Sequence, residues 1–266
     1  MNQPGKPSQK QAPDILLGLI GGNIATSQSP LLHVLAGRQN SIEVRYDRLV
    51  PEDLGQDFAS VFAGCAAGGY RGVNITYPYK EAAASMVRID DPLVKSIAAV
   101  NTVIFDSKGP VGHNTDHTGF IAAFRHAMKD KKPGRCALFG AGGAGRAIAF
   151  GLAALGADEI RLFDLDLSKA DCLAISLEQA ALKTIVTVAH SPQDAARGAH
   201  GLINCTPLGM DGIAGSVLEG RYMGNASWAF DAVYTPPDTQ FLIDAEAAGL
   251  AVFGGYELFF HQGIEA

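Results

Sequence analysis

A cluster of glycines in the middle of the chain has the spacing of a phosphate-binding turn. Gly140, Gly142 and Gly145 of the segment GAGGAG follow the pattern G-x-G-x-x-G. The apolar run CALF (136–139) precedes the segment and the apolar stretch RAIAFGLAALG (146–156) follows it, which predicts a strand, a tight turn and a helix. Glycines let the backbone approach a pyrophosphate, whose charge the N-terminus of the helix favours. The alternative is a glycine-rich connection that only permits close helix packing.

A carboxylate closes the next apolar segment. Asp164 ends the run EIRLFD (159–164), about 20 residues beyond the glycines, where an acceptor can bind the ribose hydroxyls of a dinucleotide. A carboxylate there repels a 2′-phosphate, and the following residues, Leu165 and Asp166, supply no arginine to receive one. We therefore expect NAD rather than NADP. In the alternative interpretation, Asp164 ends a strand without touching a ligand.

The elements that must position these groups alternate between strands and helices. In the first 130 or so residues the pattern predicts strands at 15–21, 43–50, 72–76 and 101–106, and helices at 29–39, at 51–67, after Pro78, after Pro92 and at 117–129. This alternation indicates the α/β class.

The alternation restarts after the polar segment KDKKPG (129–134), which is a candidate domain boundary. Strands are predicted there at 136–139, 159–164, 184–189, 201–205 and 228–234, with helices between most of them. Apolar strands separated by helices are typical of a parallel sheet that is covered on both faces.

Composition excludes several classes of protein. The 266 residues are 47% hydrophobic and 18% charged, with a formal net charge of -6, so a nucleic-acid partner is not expected and a small molecule is. No run of about 18 uncharged apolar residues predicts a membrane span. The four cysteines form no CxxC pair and have no histidine at metal-ligand spacing, so we expect neither a disulfide framework nor a metal site. These features favour a cytoplasmic protein.

Several short segments carry a family resemblance when they are taken in their order along the chain. They are SQSP (27–30), NITYPYK (74–80), VNT (100–102), GHNTD (112–116), GAGGAG (140–145), NCTPLGM (204–210), DAVYTPPDT (231–239) and GYELFFHQG (255–263). Together they closely resemble the shikimate/quinate dehydrogenase family, and the resemblance extends over nearly the whole chain from about Ile15 onward.

The resemblance implies two α/β domains with a cleft between them. The substrate-binding domain covers residues 13–116 and is completed by residues 254–266. A doubly wound, parallel-sheet Rossmann domain for NAD covers residues 117–253. Residues 1–12 are expected to be a disordered tail.

The resemblance also assigns roles to individual residues. Lys80 matches the family's catalytic lysine and Asp116 its partner carboxylate. The substrate ligands implied are Ser27, Ser29, Thr76, Asn101, Tyr234 and Gln262. The cofactor contacts implied are Gly140, Gly142, Gly143, Ala144, Gly145, Asp164, Thr206, Pro207, Leu208, Ala232 and Gly255. Isolated from their motifs, Lys80 would be a solvated lysine, and Asp116, Ser27 and Ser29 would be helix caps.

The expected function is an oxidoreductase that moves hydride reversibly between NAD and the C3 hydroxyl of shikimate, of quinate, or of both. Biosynthetic members of the family typically have an Asn-Arg-Thr segment after the second Rossmann strand, where this chain has FDLD (163–166). The chain therefore looks more like the NAD-using quinate/shikimate branch. Two alternatives stay open: a dehydrogenase for a modified shikimate, and a non-catalytic NAD-binding regulatory module. Both a monomer and a homodimer are compatible with the sequence.

Overall fold

The computed structural model describes residues 13–180 and 183–266. The tail expected at residues 1–12 lies outside the described residues. Two sheets organise the chain, and helices connect and cover their strands. None of the helices in the described ranges combines the length and the apolar character needed to cross a membrane.

The first sheet is mixed. Its strands are β1 (Ile15–Ile20), β2 (Val44–Leu49), β3 (Gly72–Ile75), β4 (Thr102–Asp106) and β5 (Gly109–His113), in the spatial order β2-β1-β3-β4-β5. The first three run parallel, and β4 and β5 pair antiparallel with their neighbours. The helices of this half are α1 (Ser29–Gln39), α2 (Phe58–Ala67), α3 (Lys80–Ala84) and α4 (Pro92–Ile97).

Some predicted boundaries in this half are wrong. The helix expected over residues 51–67 begins only at Phe58, because turns occupy the preceding residues and Gly55 has a positive φ of 62°. The side chain of Asp57 caps the helix by accepting from the Ser60 amide at 2.7 Å. The strand β5 was not predicted, because its sequence GPVGH contains two glycines and a proline.

The second sheet is the predicted parallel sheet. Its six strands are β6 (Arg135–Phe139), β7 (Glu159–Phe163), β8 (Ile185–Val188), β9 (Gly201–Asn204), β10 (Trp228–Asp231) and β11 (Ala251–Gly254), in the order β11-β10-β9-β6-β7-β8. All neighbouring strands run parallel. The strand expected at 228–234 ends at Asp231, and β11 was not predicted. This is the Rossmann order, in which the direction of winding reverses between β6 and β9, and ligands bind at the carboxyl ends of the strands at such a reversal.

Helix α5 (Thr115–Met128) precedes the second sheet, and helices follow most of its strands. These are α6 (Gly143–Ala154), α7 (Leu167–Gln179), α8 (Pro192–Ala196), a 3-10 turn (Gly220–Tyr222), α9 (Gln240–Ala247) and α10 (Gly255–Glu265). The helix predicted to begin near His117 starts two residues earlier, at Thr115.

Helix α5 ties the two sheets together. It begins directly after β5 of the first sheet, and its Phe120 and Phe124 are completely buried. The ring of Phe120 meets Phe230 edge-on at 5.1 Å between ring centres, and Phe124 meets Trp228 in the same way at 5.2 Å. These contacts pack α5 against the second sheet, while its first residue lies close to the end of the first sheet.

Candidate active site

A buried ion pair lies where the two halves of the molecule meet. Lys80 is the first residue of α3, and its Nζ lies 2.6 Å from Oδ2 of Asp116 in the first turn of α5. The side chains are only 14% and 7% exposed. Main-chain bonding fixes the lysine, because its carbonyl accepts from the Val100 amide at 2.9 Å. The capping expected of Asp116 belongs to Asn114 instead, whose Oδ1 accepts from the His117 amide.

The same lysine packs against the glycine loop. A Cβ added to Gly143 would lie 2.7 Å from Cβ of Lys80, closer than two carbon atoms can approach without displacement. The aliphatic stem of Lys80 therefore rests on the backbone at the start of α6, while its amine contacts Asp116. An ammonium, a carboxylate and a candidate phosphate-binding turn thus share one place.

The glycines of the loop are required by the backbone. Gly140 has a φ of 96°, which side chains rarely adopt, and a Cβ there would lie 2.8 Å from the main chain of Cys205. A Cβ on Gly145 would lie 1.8 Å from the carbonyl oxygen of Gly140. Gly142, by contrast, has room for a Cβ, whose nearest neighbour would be Glu81 at 3.6 Å. Gly142 is thus free for another purpose, such as the approach of a ligand.

Asp164 reaches back to the same loop. Its Oδ2 accepts from the Ala141 amide at 2.7 Å, and its Oδ1 accepts from the Asp166 amide at 2.9 Å. Leu165, the next residue, is 94% exposed. A carboxylate has about four acceptor sites, so both bonds leave room for ribose hydroxyls. The residues around this edge of the sheet therefore fit a dinucleotide: a turn without side chains, a helix N-terminus and an acceptor.

A buried polar network, which the sequence did not predict, holds the loop after β9 in place. Asp231 is completely buried, and it accepts from Nδ2 of Asn204 at 3.0 Å and from the hydroxyl of Thr239 at 2.6 Å. Asn204 in turn accepts from the amide and the hydroxyl of Thr206 and donates to the carbonyl of Leu208. Burial raises the pKa of Asp231 to about 6. The predicted cofactor residues Thr206, Pro207 and Leu208 are positioned by this network.

Ala232 and Gly255 complete that side of the crevice. The Ala232 amide donates to the Asn204 carbonyl at 2.8 Å. A Cβ on Gly255 would lie 2.4 Å from the carbonyl oxygen of Ala232, so only glycine fits at the start of α10. The structure thus brings both residues to the loop that carries Thr206.

A second polar network joins three segments that are distant in sequence. Nδ2 of Asn101 donates to Thr115 at 2.9 Å and to Oε1 of Gln262 at 3.2 Å, and Oδ1 of Asn101 accepts from the Thr115 amide. Helix α10 reaches this point because Gly119 lets its backbone approach, since a Cβ there would lie 2.8 Å from the Gln262 nitrogen. Thr115 was not predicted. Thr76 lies apart from this network, next to Gly21, and its amide donates to the Ile20 carbonyl.

The two predicted serines form a small cradle. Ser27 and Ser29 are 3% and 8% exposed, and their hydroxyl oxygens lie 3.2 Å apart. Tyr234, from the second half of the chain, donates to the Ser27 hydroxyl at 3.3 Å and stacks on Phe259. Ser27 also accepts from the Ser29 amide at 3.3 Å, but neither serine is the N-cap of α1, because that position is Gln28 and no side chain makes a capping hydrogen bond there.

Residues of β2 and β3 stand behind the cradle and were also missed. Tyr46 donates to Oδ1 of Asn74 at 2.7 Å, and burial raises the pKa of this tyrosine. Asn74 donates to the hydroxyl of Thr102 at 3.1 Å. Nη2 of Arg48 donates to the carbonyl of Ser27 at 2.6 Å. Hydroxyl and amide groups with both donor and acceptor capacity thus line one wall of the cleft, and they suit a ligand with several hydroxyls.

Comparisons with known proteins agree with this geometry. Residues 19–103 match the family model described as the shikimate dehydrogenase substrate binding domain. The chain is 33% identical over 258 residues to a quinate/shikimate dehydrogenase (NAD(+)) of Corynebacterium efficiens, with 95% of this chain and 91% of the relative covered.

Two solved structures are similar over the same span. A quinate dehydrogenase from Corynebacterium glutamicum in complex with NAD has a TM-score of 0.82 and 31% identity, with 95% of this chain and 92% of that chain covered. A shikimate 5-dehydrogenase from Thermus thermophilus in complex with NADP(H) and shikimate has a TM-score of 0.79 and 30% identity, with 94% and 90% covered.

Proposed function

We propose, because the chain belongs to the shikimate/quinate dehydrogenase family, that it transfers hydride reversibly between NAD and the C3 hydroxyl of shikimate, quinate or both. The observation that carries this proposal is the position of Lys80. Its amine lies 2.6 Å from Asp116, and its stem rests on Gly143 of the glycine loop. A proton-transfer group and a cofactor-binding turn are therefore adjacent, as oxidation of a carbinol requires.

In this proposal the two halves of the molecule act as two domains. Residues 13–116, completed by 254–266, bind the cyclic acid, and residues 117–253 bind the dinucleotide. Ser27 and Ser29 receive the carboxylate of the substrate, assisted by Tyr234, while Thr76, Asn101 and Gln262 bind its hydroxyls. Since Asn101 and Gln262 are already bonded to each other and to Thr115, their amides are oriented before the substrate arrives.

Lys80 and Asp116 carry the proton chemistry. A dinucleotide bound at the glycine loop would supply the acceptor for the hydride of the carbinol carbon. In the oxidative direction the ammonium of Lys80 passes one proton to Asp116 or to water as Nζ takes the proton of the substrate hydroxyl, and the same relay runs backward in the reductive direction. Asp116 holds Nζ at the base of the cleft through the 2.6 Å contact, so the amine does not turn out into solvent.

The preference for NAD follows from the edge of the second sheet. Asp164 stands at the end of β7, its carboxylate faces the glycine loop, and the next two residues are Leu165 and Asp166. A 2′-phosphate would meet a negative charge there and no arginine. Asp164→Asn keeps an acceptor for the Ala141 amide but removes the charge. We expect this variant to bind NAD about tenfold more weakly and to discriminate less against NADP.

Steady-state assays with shikimate and quinate, each with NAD and with NADP, test the proposed function. We expect NAD-dependent turnover of at least one acid, and weaker activity with NADP. Equal turnover with NAD and NADP would refute only the role of Asp164 in selecting the cofactor and would leave the proposed reaction intact. NAD binding without turnover of either acid would refute the reaction and favour a modified shikimate as substrate or a regulatory module. Assays with amino- and deoxy-substituted shikimates then separate those two.

A further inference from the structure

Arg48, whose guanidinium lies beside the serine cradle, has no role in substrate binding in the function proposed above. Arg48 is the fifth residue of β2, and its Nη2 donates to the main-chain carbonyl of Ser27 at 2.6 Å. The neighbouring hydroxyls of Ser27 and Ser29 are neutral donors. A carboxylate that they bind brings a full negative charge into this corner of the cleft.

The alternation of β2 places Arg48 on the face of the sheet that carries the site. Side chains two residues apart in a strand share a face, so Arg48 lies on the same side as Tyr46, which donates to Asn74. Arg45 and Asp47 lie on the opposite face, where they pair with each other at 2.9 Å. The register of the parallel pair sets Arg48 opposite Leu19, next to the turn that leads to Ser27.

The charge of Arg48 is not neutralised by a protein carboxylate. Within residues 13–180 and 183–266, no Asp or Glu oxygen lies within 4.0 Å of its guanidinium, and one carbonyl is its sole hydrogen-bond acceptor there. A guanidinium has five N–H donors. Arg48 is an exposed residue, and no other group in these residues takes up its remaining donors or its charge.

We propose that Arg48 is a specificity-determining residue, which selects substrates with a carboxylate over neutral analogues by placing a positive charge beside Ser27 and Ser29. This inference rests on the proposed function, because it takes the serine cradle as the site of the substrate's carboxylate. The hydroxyls position the group, and Arg48 supplies the attraction that a neutral ester or amide does not feel.

The test compares an acid with its methyl ester in three variants. Arg48→Gln removes the charge and keeps a donor for the Ser27 carbonyl, and Arg48→Lys keeps the charge. Arg45→Gln is the matched control, because it removes the same charge from the same strand on the opposite face. For each variant KM and kcat are measured with shikimate or quinate, and the affinity of the methyl ester is measured as KM or as an inhibition constant against the acid.

We expect Arg48→Gln to raise KM for the acid about tenfold while kcat and the affinity for the ester change less than about twofold. Arg48→Lys should recover most of the affinity for the acid, and Arg45→Gln should behave like the unsubstituted protein. High salt should weaken binding of the acid to the unsubstituted protein but not to Arg48→Gln. Thermal unfolding checks that each variant folds, and Arg48→Met replaces Arg48→Gln if that variant does not.

An equal loss of affinity for acid and ester in Arg48→Gln would overturn the proposal, because it would mean that Arg48 only braces the Ser27 loop. A similar loss in Arg45→Gln would overturn it as well, since the effect would then be one of net charge. Failure of the proposed function is separate: it would appear as absence of turnover of either acid by the unsubstituted protein.

Discussion

The glycine loop and the wall of the cleft that faces it are fixed in different ways. In the glycine loop, backbone atoms approach so closely that a side chain on Gly140 or Gly145 would collide with them. In the facing wall, side chains from segments as distant as Asn101 and Gln262 hold each other by hydrogen bonds. Steric fixation should appear mainly as stability when it is disturbed, whereas the side-chain network should appear mainly as substrate affinity and turnover.

Lys80→Ala tests the point at which the two regions meet. We expect turnover to fall at least about a thousandfold, because in the proposed mechanism Lys80 is the group that moves the proton. NAD affinity, measured by fluorescence titration, should change less than about threefold, since the substitution leaves the glycine loop intact. Lys95→Ala, on the exposed side of α4, is the control. Turnover within a few fold of the unsubstituted protein would remove Lys80 from the chemistry.

Gly145→Ala tests steric fixation of the loop. The added methyl would lie 1.8 Å from the Gly140 carbonyl oxygen, so we expect a loss of about 3 kcal/mol in the free energy of unfolding. Gly142→Ala has room and is the matched control: its stability should change by less than about 0.5 kcal/mol, while its NAD affinity falls. Urea unfolding and NAD titration measure both. Equal losses of stability in the two variants would contradict the distinction between these glycines.

Asp231 lies in the same half of the molecule as the glycine loop, but there a polar network, rather than steric contact, fixes a loop. Its pKa in the folded protein is about 6, above the ordinary value of 3.8, so ionised Asp231 costs up to about 3 kcal/mol of stability. The protonated carboxyl group therefore stabilises the folded protein. This contribution to the free energy of unfolding is fully present below pH 3.8 and is lost as the pH rises through 6. Urea unfolding between pH 4 and 7 should therefore show a steeper fall for the unsubstituted protein than for Asp231→Asn. Parallel curves would contradict this.

Asn101→Ala tests the side-chain network of the facing wall. We expect KM for the acid to rise about thirtyfold, because Gln262 and Thr115 lose their partner and the proposed ligand of a substrate hydroxyl is removed. NAD affinity should stay unchanged. Asn40→Ala, which removes an exposed asparagine at the end of α1, is the control. If NAD affinity fell as much as affinity for the acid, the two regions would not be separable in the way described.

The difference between local steric fixation and a long-range side-chain network also explains how far the sequence predicts the structure. The glycine loop is encoded within a few residues, so Gly140, Gly142 and Gly145 could be identified together with the strand and the helix around them. The parallel sheet followed from its apolar strands. By contrast, GPVGH of β5 has neither alternation nor β-branched residues apart from one valine, and only its antiparallel partner β4 makes it a strand.

The site residues that were missed share a physical reason. Asn204, Asp231 and Thr239 act together only after β9 and β10 have paired and brought them into contact. Arg48, on an exposed position of an edge strand, has the appearance of an ordinary surface charge in the sequence. Its relation to Ser27 depends on the pairing of β2 with β1, which no local pattern reveals.

Transfer of deuterium tests most directly whether the glycine loop and the facing wall of the cleft act on the same carbinol carbon. Shikimate or quinate that carries deuterium at C3 is incubated with the protein and NAD, and the reduced cofactor is analysed by mass spectrometry. We expect the reduced cofactor to carry one deuterium atom, with no exchange into water. In Lys80→Ala we expect no detectable reduced cofactor in the same time. Reduction of NAD without the label, or no reduction with either acid, would contradict transfer from C3 in this cleft.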